Sequence, residues 1–450
     1  MGIYFYPRGG SAHVCRALAH ELGRNDLEVT VLSGSRSDLG EHALAASFYS
    51  GLDLRAVDFT PALDSDDSLR FEGPPGTAPM HGSYEDRPGA EDPILACLDD
   101  EAFERQVEAW TRELSRAGAA AADLLYLHHL TPLSEAAARA FPATPVVGHV
   151  HGTELLMLER IAAGPPASWA HAEAWRERIC SWAAACERIV VGSPKGLGRA
   201  AEVLDLDPDR FLCIPNGFDP SFAPVPIDRR AHWRRLLVEQ PQGWRPGSPP
   251  GSVSYEEADL AALEGTVLLY TGRFTEVKRL PLLLEAFALA RPRFEGPTAL
   301  VLLGGYPGEW EGEHPVETIE RLGLSGVFLA GWHSHAELPG CFNAADLLVH
   351  ASVREQFGQV LVEAMACSIP PIAVDRGGPA TIVDDPATGW LVPPEDTGAF
   401  AAAMVEAVND PGGRRRRGEA ARREVGGRYA WSQIGRDLAD LVDEVSGLPR

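Results

Sequence analysis

Arg354-Glu355-Gln356-Phe357-Gly358-Gln359-Val360-Leu361-Val362-Glu363 sets two carboxylates eight positions apart, with a Phe-Gly step after the first. Leu347-Leu348-Val349 before it reads as a buried strand, and Val360 to Ala366 after it reads as a helix. Glu355 then falls in the turn at the strand's carboxyl end, and the Phe357 and Gly358 amides open the helix. At 3.6 residues per turn, Glu363 is expected about two turns into that helix, on roughly the face of Glu355. A helix amino terminus attracts anions and hydroxyl oxygens, and a Glu beside it accepts hydrogen bonds from neutral polyols. Two solvated helix glutamates are the bland alternative, so the rest of the chain decides.

Outward from this stretch, short apolar runs alternate with amphipathic or Ala-rich helices. Strand candidates in the first half include Ile3 to Tyr6, Leu27 to Leu32, Leu52 to Phe59, Leu124 to Leu127, Pro145 to Val150, Ile189 to Val191 and Phe211 to Ile214. The second half adds Val267 to Tyr270, Ala299 to Leu303, Val327 to Leu329, Leu347 to His350, Pro371 to Val374 and Trp390 to Val392. Strands without polar alternation, interleaved with helices, predict parallel sheets covered on both faces. The 450 residues exceed one hydrophobic core, so two doubly wound α/β domains meeting near residue 220 are expected.

Net charge is −24, which argues against nucleic acid or an anionic membrane as the main partner. The local exception, Arg414 to Arg417, reads as a solvated helix start, with a membrane-surface patch as the sharper alternative. No apolar run approaches the roughly 18 residues of a membrane span. The amino terminus lacks a signal peptide, and seven scattered cysteines contain no C-x-x-C pair; a cytoplasmic protein is expected. Residues 62–93, with Met80 to Pro88, read as an acceptor-side loop, and 226–264 as an insertion between domains. A terminal helix with Ile434, Leu438, Leu441, Val442 and Val445 at helical spacing is expected to pack on a domain surface.

Chemistry-bearing residues gather where strands end. Gly9-Gly10 separates the first strand from its helix and lets backbone amides approach a ligand, but it is not a G-x-G-x-x-G fingerprint. After Val267 to Tyr270 comes Gly272-Arg273 with Lys278, two cations five apart that can close on a diphosphate, or else pair with Glu276 and Glu285. His149 and His151 share one face of a strand. An H-x-H pair can ligate a metal; His128 and His129 are available, yet no later pattern completes a site, and a core histidine is the alternative, more so for His149. Ile214 to Asp219 reads as a strand end with turn chemistry, and Gly304-Gly305-Tyr306 and Gly331-Trp332-His333 end two further strands.

In this order, the Gly9-Gly10 loop, His151-Gly152-Thr153-Glu154, Ile214 to Asp219, Gly272-Arg273 with Lys278, and Glu355 with Phe357-Gly358 and Glu363 resemble the family-4 retaining glycosyltransferases. The resemblance spans nearly the whole chain and implies a GT-B fold, two Rossmann-like domains facing across a cleft. It makes 1–220 the acceptor-side domain, 221–428 the nucleotide-sugar-binding domain and 429–450 the packing helix. It implies a hexosyltransferase that takes a nucleotide-diphospho-sugar and keeps anomeric configuration by front-side attack on behalf of an acceptor hydroxyl. Arg273 and Lys278 would hold the diphosphate and Glu363 the ribose. Glu355 would hold the donor sugar, with Phe357 and Gly358 shaping its pocket. The base would lie near Trp332-His333, Gly9 and Gly10 would approach phosphate or acceptor, and His151 would face the reacting sugar. No cofactor and no metal is implied, the nucleotide sugar being a co-substrate. The loops 81–88 and 226–264 do not resemble those of relatives acting on inositol phosphate, so that acceptor is not carried over. A nucleotide-sugar epimerase or sugar phosphorylase on the same fold, a metal-dependent hydrolase on His149 and His151, and a catalytically silent sugar-binding protein are the competing readings.

Overall fold

Apolar runs such as Val267 to Tyr270 and Leu347 to Val349 have no polar face to give to water, so each must be covered on both sides. In the computed structural model, which describes residues 1–85, 90–307, 310–355 and 357–447, they form the centres of two parallel sheets. Gln356 of the opening stretch, and Asp86, Arg87 and Pro88 of the first long loop, lie outside the described residues.

The chain divides into a first unit, Met1–Asn216 with Trp431–Arg450, and a second, Gly217–Ala430. The first carries β1 (Gly2–Ile3), β2 (Thr30–Ser35), β3 (Asp53–Asp58), β4 (Leu125–His128), β5 (Val146–Val150), β6 (Arg188–Val191) and β7 (Phe211–Cys213). They lie in the order β3-β2-β1-β4-β5-β6-β7, every pair parallel. The second carries β8 (Thr266–Thr271), β9 (Thr298–Leu303), β10 (Val327–Gly331), β11 (Leu347–His350), β12 (Pro371–Val374) and β13 (Trp390–Val392). Their order is β10-β9-β8-β11-β12-β13, again all parallel. Both sheets reverse winding direction at one place, between β1 and β4 and between β8 and β11. The crevice outside the carboxyl ends at such a reversal is where open α/β sheets bind ligands.

Three expectations change. The carboxyl-terminal helix Trp431–Ser446 does more than lie on a surface: Ile434, Leu438 and Leu441 join Val14, Leu18 and Leu22 of helix Gly10–Arg24 in one buried cluster of the first unit. The stretch 226–264 is an integral part of the second unit rather than a free insertion. Trp233 and Trp244 are fully buried there, and their indole N–H groups donate to the Ala344 and Gly305 carbonyls. Indole rings carry too much apolar area to remain in a solvated loop. Third, helix Gln359–Ala366 begins only after Gly358, whose φ of +105° is left-handed. Glu363 therefore lies about one turn in, and the shared helical face expected for Glu355 and Glu363 does not exist.

Arg414 to Arg417 starts helix Pro411–Arg428. Arg414 donates to the Ala407 and Val408 carbonyls, and Arg417 pairs with Glu406 and stacks on Trp390. Two of the four arginines are thus folded back onto the protein. Among the described residues, no helix is long and apolar enough to cross a membrane.

Candidate functional site

In the second unit, β8 ends at Thr271, just before Gly272, and β11 at His350, side by side at the winding reversal. Two hydrogen bonds tie the following loops together: the Val353 amide and the Ser352 hydroxyl both donate to the Val277 carbonyl. This lacing brings the Lys278 ammonium against the Glu355 carboxylate in a direct ion pair. His350, fully buried, places Nε2 3.4 Å from the same carboxylate oxygen. Burial by itself would raise the Glu355 pKa; His350 and Lys278 outweigh it and bring it down to about 2. The His350 ring is held below its ordinary value, first by burial. Glu355 is thus a fixed carboxylate, suited to accepting hydrogen bonds and unsuited to acid catalysis at neutral pH.

Arg273 is exposed, and its guanidinium makes no ion pair among the described residues. Its carbonyl accepts from the buried Tyr270 hydroxyl at 2.7 Å, which fixes the loop while leaving the cation open. The neighbouring strand ends are interlocked. The Gly304 amide donates to the Gly331 carbonyl, and the Gly272 amide to the Leu303 carbonyl. A Cβ on Gly304 would meet the Gly272 carbonyl oxygen at 2.2 Å, so only glycine permits this approach.

Glu363 is buried in helix Gln359–Ala366, with Oε1 3.0 Å from His335 Nε2 and accepting from Gln359 Nε2 at 3.2 Å. Gln359 also donates to the Gly217 carbonyl. Phe357 sends its ring into the core against Tyr429, so only its backbone reaches the loop. The Gly378 amide donates to the Glu355 carbonyl, and Gly377 and Gly378 leave no room there for a side chain. His333 tucks its ring back, Nε2 lying 3.2 Å from the Ala330 carbonyl. Trp332 and Tyr306 are the exposed groups at these strand ends, with ring centroids 6.3 Å apart.

The structure therefore pairs Lys278 with Glu355 at the carboxyl ends of adjacent strands β8 and β11, with Arg273 in the loop after β8 and Gly358 and Glu363 in the segment after β11. Sequence reading missed His350, His335 and Gly377-Gly378. For His350 a signal existed: it ends the strand five residues before Glu355.

In the first unit, Gly9 is extended and Gly10 opens helix Gly10–Arg24, with open space where either Cβ would stand. At the ends of β4 and β5, four histidines pack together. His149 and His151 stack at 4.2 Å, His128 Nδ1 lies 2.9 Å from His151 Nε2, and the Tyr126 hydroxyl is 2.8 Å from His149 Nδ1. His129 Nδ1 is 2.7 Å from the buried Glu154 carboxylate, which also accepts from the His151 amide. Burial lowers the pKa of His128, His149 and His151, with His149 down to about 3, so all three are neutral imidazoles. The H-x-H pair that lacked a third imidazole in the sequence has His128 beside it from the adjacent strand, in register with His149, but the rings stack nearly parallel, so their in-plane lone pairs do not converge on one ion.

The model for Glycosyltransferase Family 4 matches residues 8–222, and that for Glycosyl transferases group 1 matches residues 255–424. The chain belongs to this glycosyltransferase family. Among curated relatives, the D-inositol 3-phosphate glycosyltransferase of Salinispora tropica is 27% identical over 364 residues, covering 78% of this chain and 70% of that protein. The α-maltose-1-phosphate synthase of Mycolicibacterium smegmatis is 29% identical over 254 residues, 54% of this chain and 58% of the relative. Among solved structures, a sucrose-phosphate synthase from Thermosynechococcus elongatus matches with a TM-score of 0.67 at 19% identity, over 99% of this chain and 98% of that one. Anabaena HepE, solved with UDP and glucose, matches at 0.66 and 17% identity, over 98% and 99%. At such identities the structures speak for the fold alone, which is the two-domain, Rossmann-like GT-B fold of this glycosyltransferase.

Proposed function

We propose that this glycosyltransferase moves a hexosyl unit from a nucleotide-diphospho-sugar to an acceptor hydroxyl with retention of anomeric configuration. The observation that carries this reading is the set Arg273, Lys278–Glu355 and Glu363 in the segments that follow β8 and β11: an open cation, a paired cation and two ionic acceptors with distinct neighbours. In this reading Arg273 and Lys278 take the diphosphate, and Glu355 accepts from the transferred sugar's hydroxyls. Glu363 accepts from the ribose, and the exposed Trp332 and Tyr306 flank the base while His333 braces that turn. Gly358 gives the helix start its close approach to the sugar.

The step needs no protein nucleophile. The acceptor oxygen bonds to the anomeric carbon on the face from which the phosphate oxygen departs, and that phosphate oxygen takes the acceptor's proton. Negative charge grows on the leaving nucleotide, where Arg273 and Lys278 oppose it; preorganised charge of this kind is commonly the largest part of such a barrier reduction. In the first unit, acceptor handling is assigned to the sheet edge carrying Gly9, Gly10 and His151.

A thermal-shift screen over UDP-, GDP-, ADP- and TDP-sugars tests the donor class, followed by proton NMR of the product's anomeric centre. Stabilisation by one nucleotide series and a product with the donor's configuration are expected. Inversion, or no response to any nucleotide sugar, sinks the reading.

A further inference from the structure

We propose that Trp244 is a positioning residue for the nucleotide's base, and that the stretch 241–255 is a brace that sets the base-flanking side chains before a donor arrives. The inference rests on the transferase reading, in which Tyr306 and Trp332 flank the base.

Strand ends in the second unit pass through a glycine just before a residue of the donor site: Gly272 before Arg273, Gly305 before Tyr306 and Gly331 before Trp332. These glycines are interlocked. The Gly305 amide donates to the Gly272 carbonyl at 3.2 Å, and the Gly304 amide to the Gly331 carbonyl at 2.7 Å. Gly305 and Gly331 are left-handed, at φ +68° and +74°. Tyr306 and Trp332 stand 54% and 53% exposed, with ring centroids 6.3 Å apart, so their own packing holds them only in part. What fixes them acts through the backbone of their turns.

The stretch 241–255 supplies that hold. Gln242 bridges to Gly331 so closely that a Cβ on the glycine would meet the Gln242 carbonyl oxygen at 2.0 Å. The Gly243 carbonyl accepts from the Gly251 and Val253 amides at 2.9 and 3.0 Å, which closes the stretch into a turn. The Leu329 amide, two residues before Gly331, donates to the Tyr255 hydroxyl at 2.8 Å. Trp244 is fully buried and donates its indole N–H to the Gly305 carbonyl at 3.2 Å, while its ring packs on Phe274, Trp310 and His314. A Cβ on Gly305 would meet the Phe274 ring at 2.4 Å, so the same aromatic layer presses on that turn. One indole thus holds the Tyr306 turn directly, and its chain neighbour Gln242 holds the Trp332 turn. Fixing a ligand-facing turn in the free protein removes an ordering cost that binding would otherwise carry.

Calorimetric titration of the full chain with UDP, GDP, ADP and TDP identifies the diphosphate that binds most tightly, and that one is the probe. Trp244→Phe keeps an aromatic ring in the layer and removes the N–H donor; it is expected to weaken probe binding about 3- to 10-fold, the ordering cost of one side chain. Tyr306→Ala is expected to weaken it about 10-fold, as for one lost base-stacking contact. In the Tyr306→Ala background, Trp244→Phe is expected to cost little more, because it acts through that turn, whereas a merely structural indole gives additive losses. Additive losses, or unchanged affinity in a folded Trp244→Phe, overturn the inference. Should Trp244→Phe fail to fold, Tyr255→Phe takes its place with Trp332→Ala as the partner variant, and additivity or unchanged affinity there overturns it equally. A wild type that binds none of the four diphosphates sinks the transferase reading and this inference with it; a wild type that binds one, with variants that behave additively, sinks the inference alone.

Discussion

Lys278 and Glu355, 77 positions apart, meet in a direct ion pair at the ends of adjacent strands β8 and β11. Each positions the other, and in the proposed reading the pair joins a cation that takes the diphosphate to a carboxylate that takes the donor sugar. Lys278→Ala and Glu355→Gln are each expected to reduce kcat/KM by about 10²–10³, the usual loss for one preorganised charge in a transition-state site. Steady-state transfer assays on variants with unchanged circular dichroism check this. Activity within a few-fold of wild type in either one removes the cluster from the mechanism.

The same pair sets a pH dependence of stability. The Glu355 pKa falls from 4.5 to about 2 on folding, so its contribution is complete above pH 4.5 and fades as pH drops toward 2. The buried His350, lowered from 6.5, acts in the same direction but starts to do so nearer neutrality. Denaturant unfolding from pH 7 to pH 2 is expected to show a wild-type advantage over Glu355→Gln that shrinks below pH 4.5. A constant difference across that window contradicts the assignment.

Glu363 is expected to act in binding alone. Losing hydrogen bonds to a charged acceptor costs about 1.5–3 kcal/mol, so Glu363→Gln should raise the donor KM about 10- to 100-fold with kcat nearly unchanged. A fall in kcat at constant KM would place Glu363 with the reacting groups instead.

Gly358 caps helix Gln359–Ala366 at φ +105°, and an added Cβ would press on Leu361 at 2.6 Å. The contacted atom is a side-chain end that can yield, so backbone strain dominates. Gly358→Ala is expected to lower stability by about 1–3 kcal/mol, read as a shifted urea midpoint at constant slope.

Both sheets were legible in the sequence because continuous apolar runs such as Val267 to Tyr270 leave a strand no exposed face. The cationic loop and the Glu355 stretch were legible because strand-end loops there are short and their residues few. The stretch 226–264 was not legible as part of the second unit: Pro241, Gly243, Pro246 and Gly247 around Trp244 resemble a loop, while burial of the Trp233 and Trp244 rings requires a packed element. The common face proposed for Glu355 and Glu363 failed because a left-handed Gly358 is invisible to a count of 3.6 residues per turn.

By itself the sequence determined which residues carry charge at strand ends and that two parallel sheets must form, since local periodicity and burial are properties of short segments. Only the tertiary structure decided who meets whom. Strand order puts β8 beside β11 and β4 beside β5, so Lys278 reaches Glu355, His350 turns up behind that carboxylate, and His128 joins His149 and His151. Such pairings depend on crossovers between distant segments, and no local pattern records which strands a crossover will make neighbours.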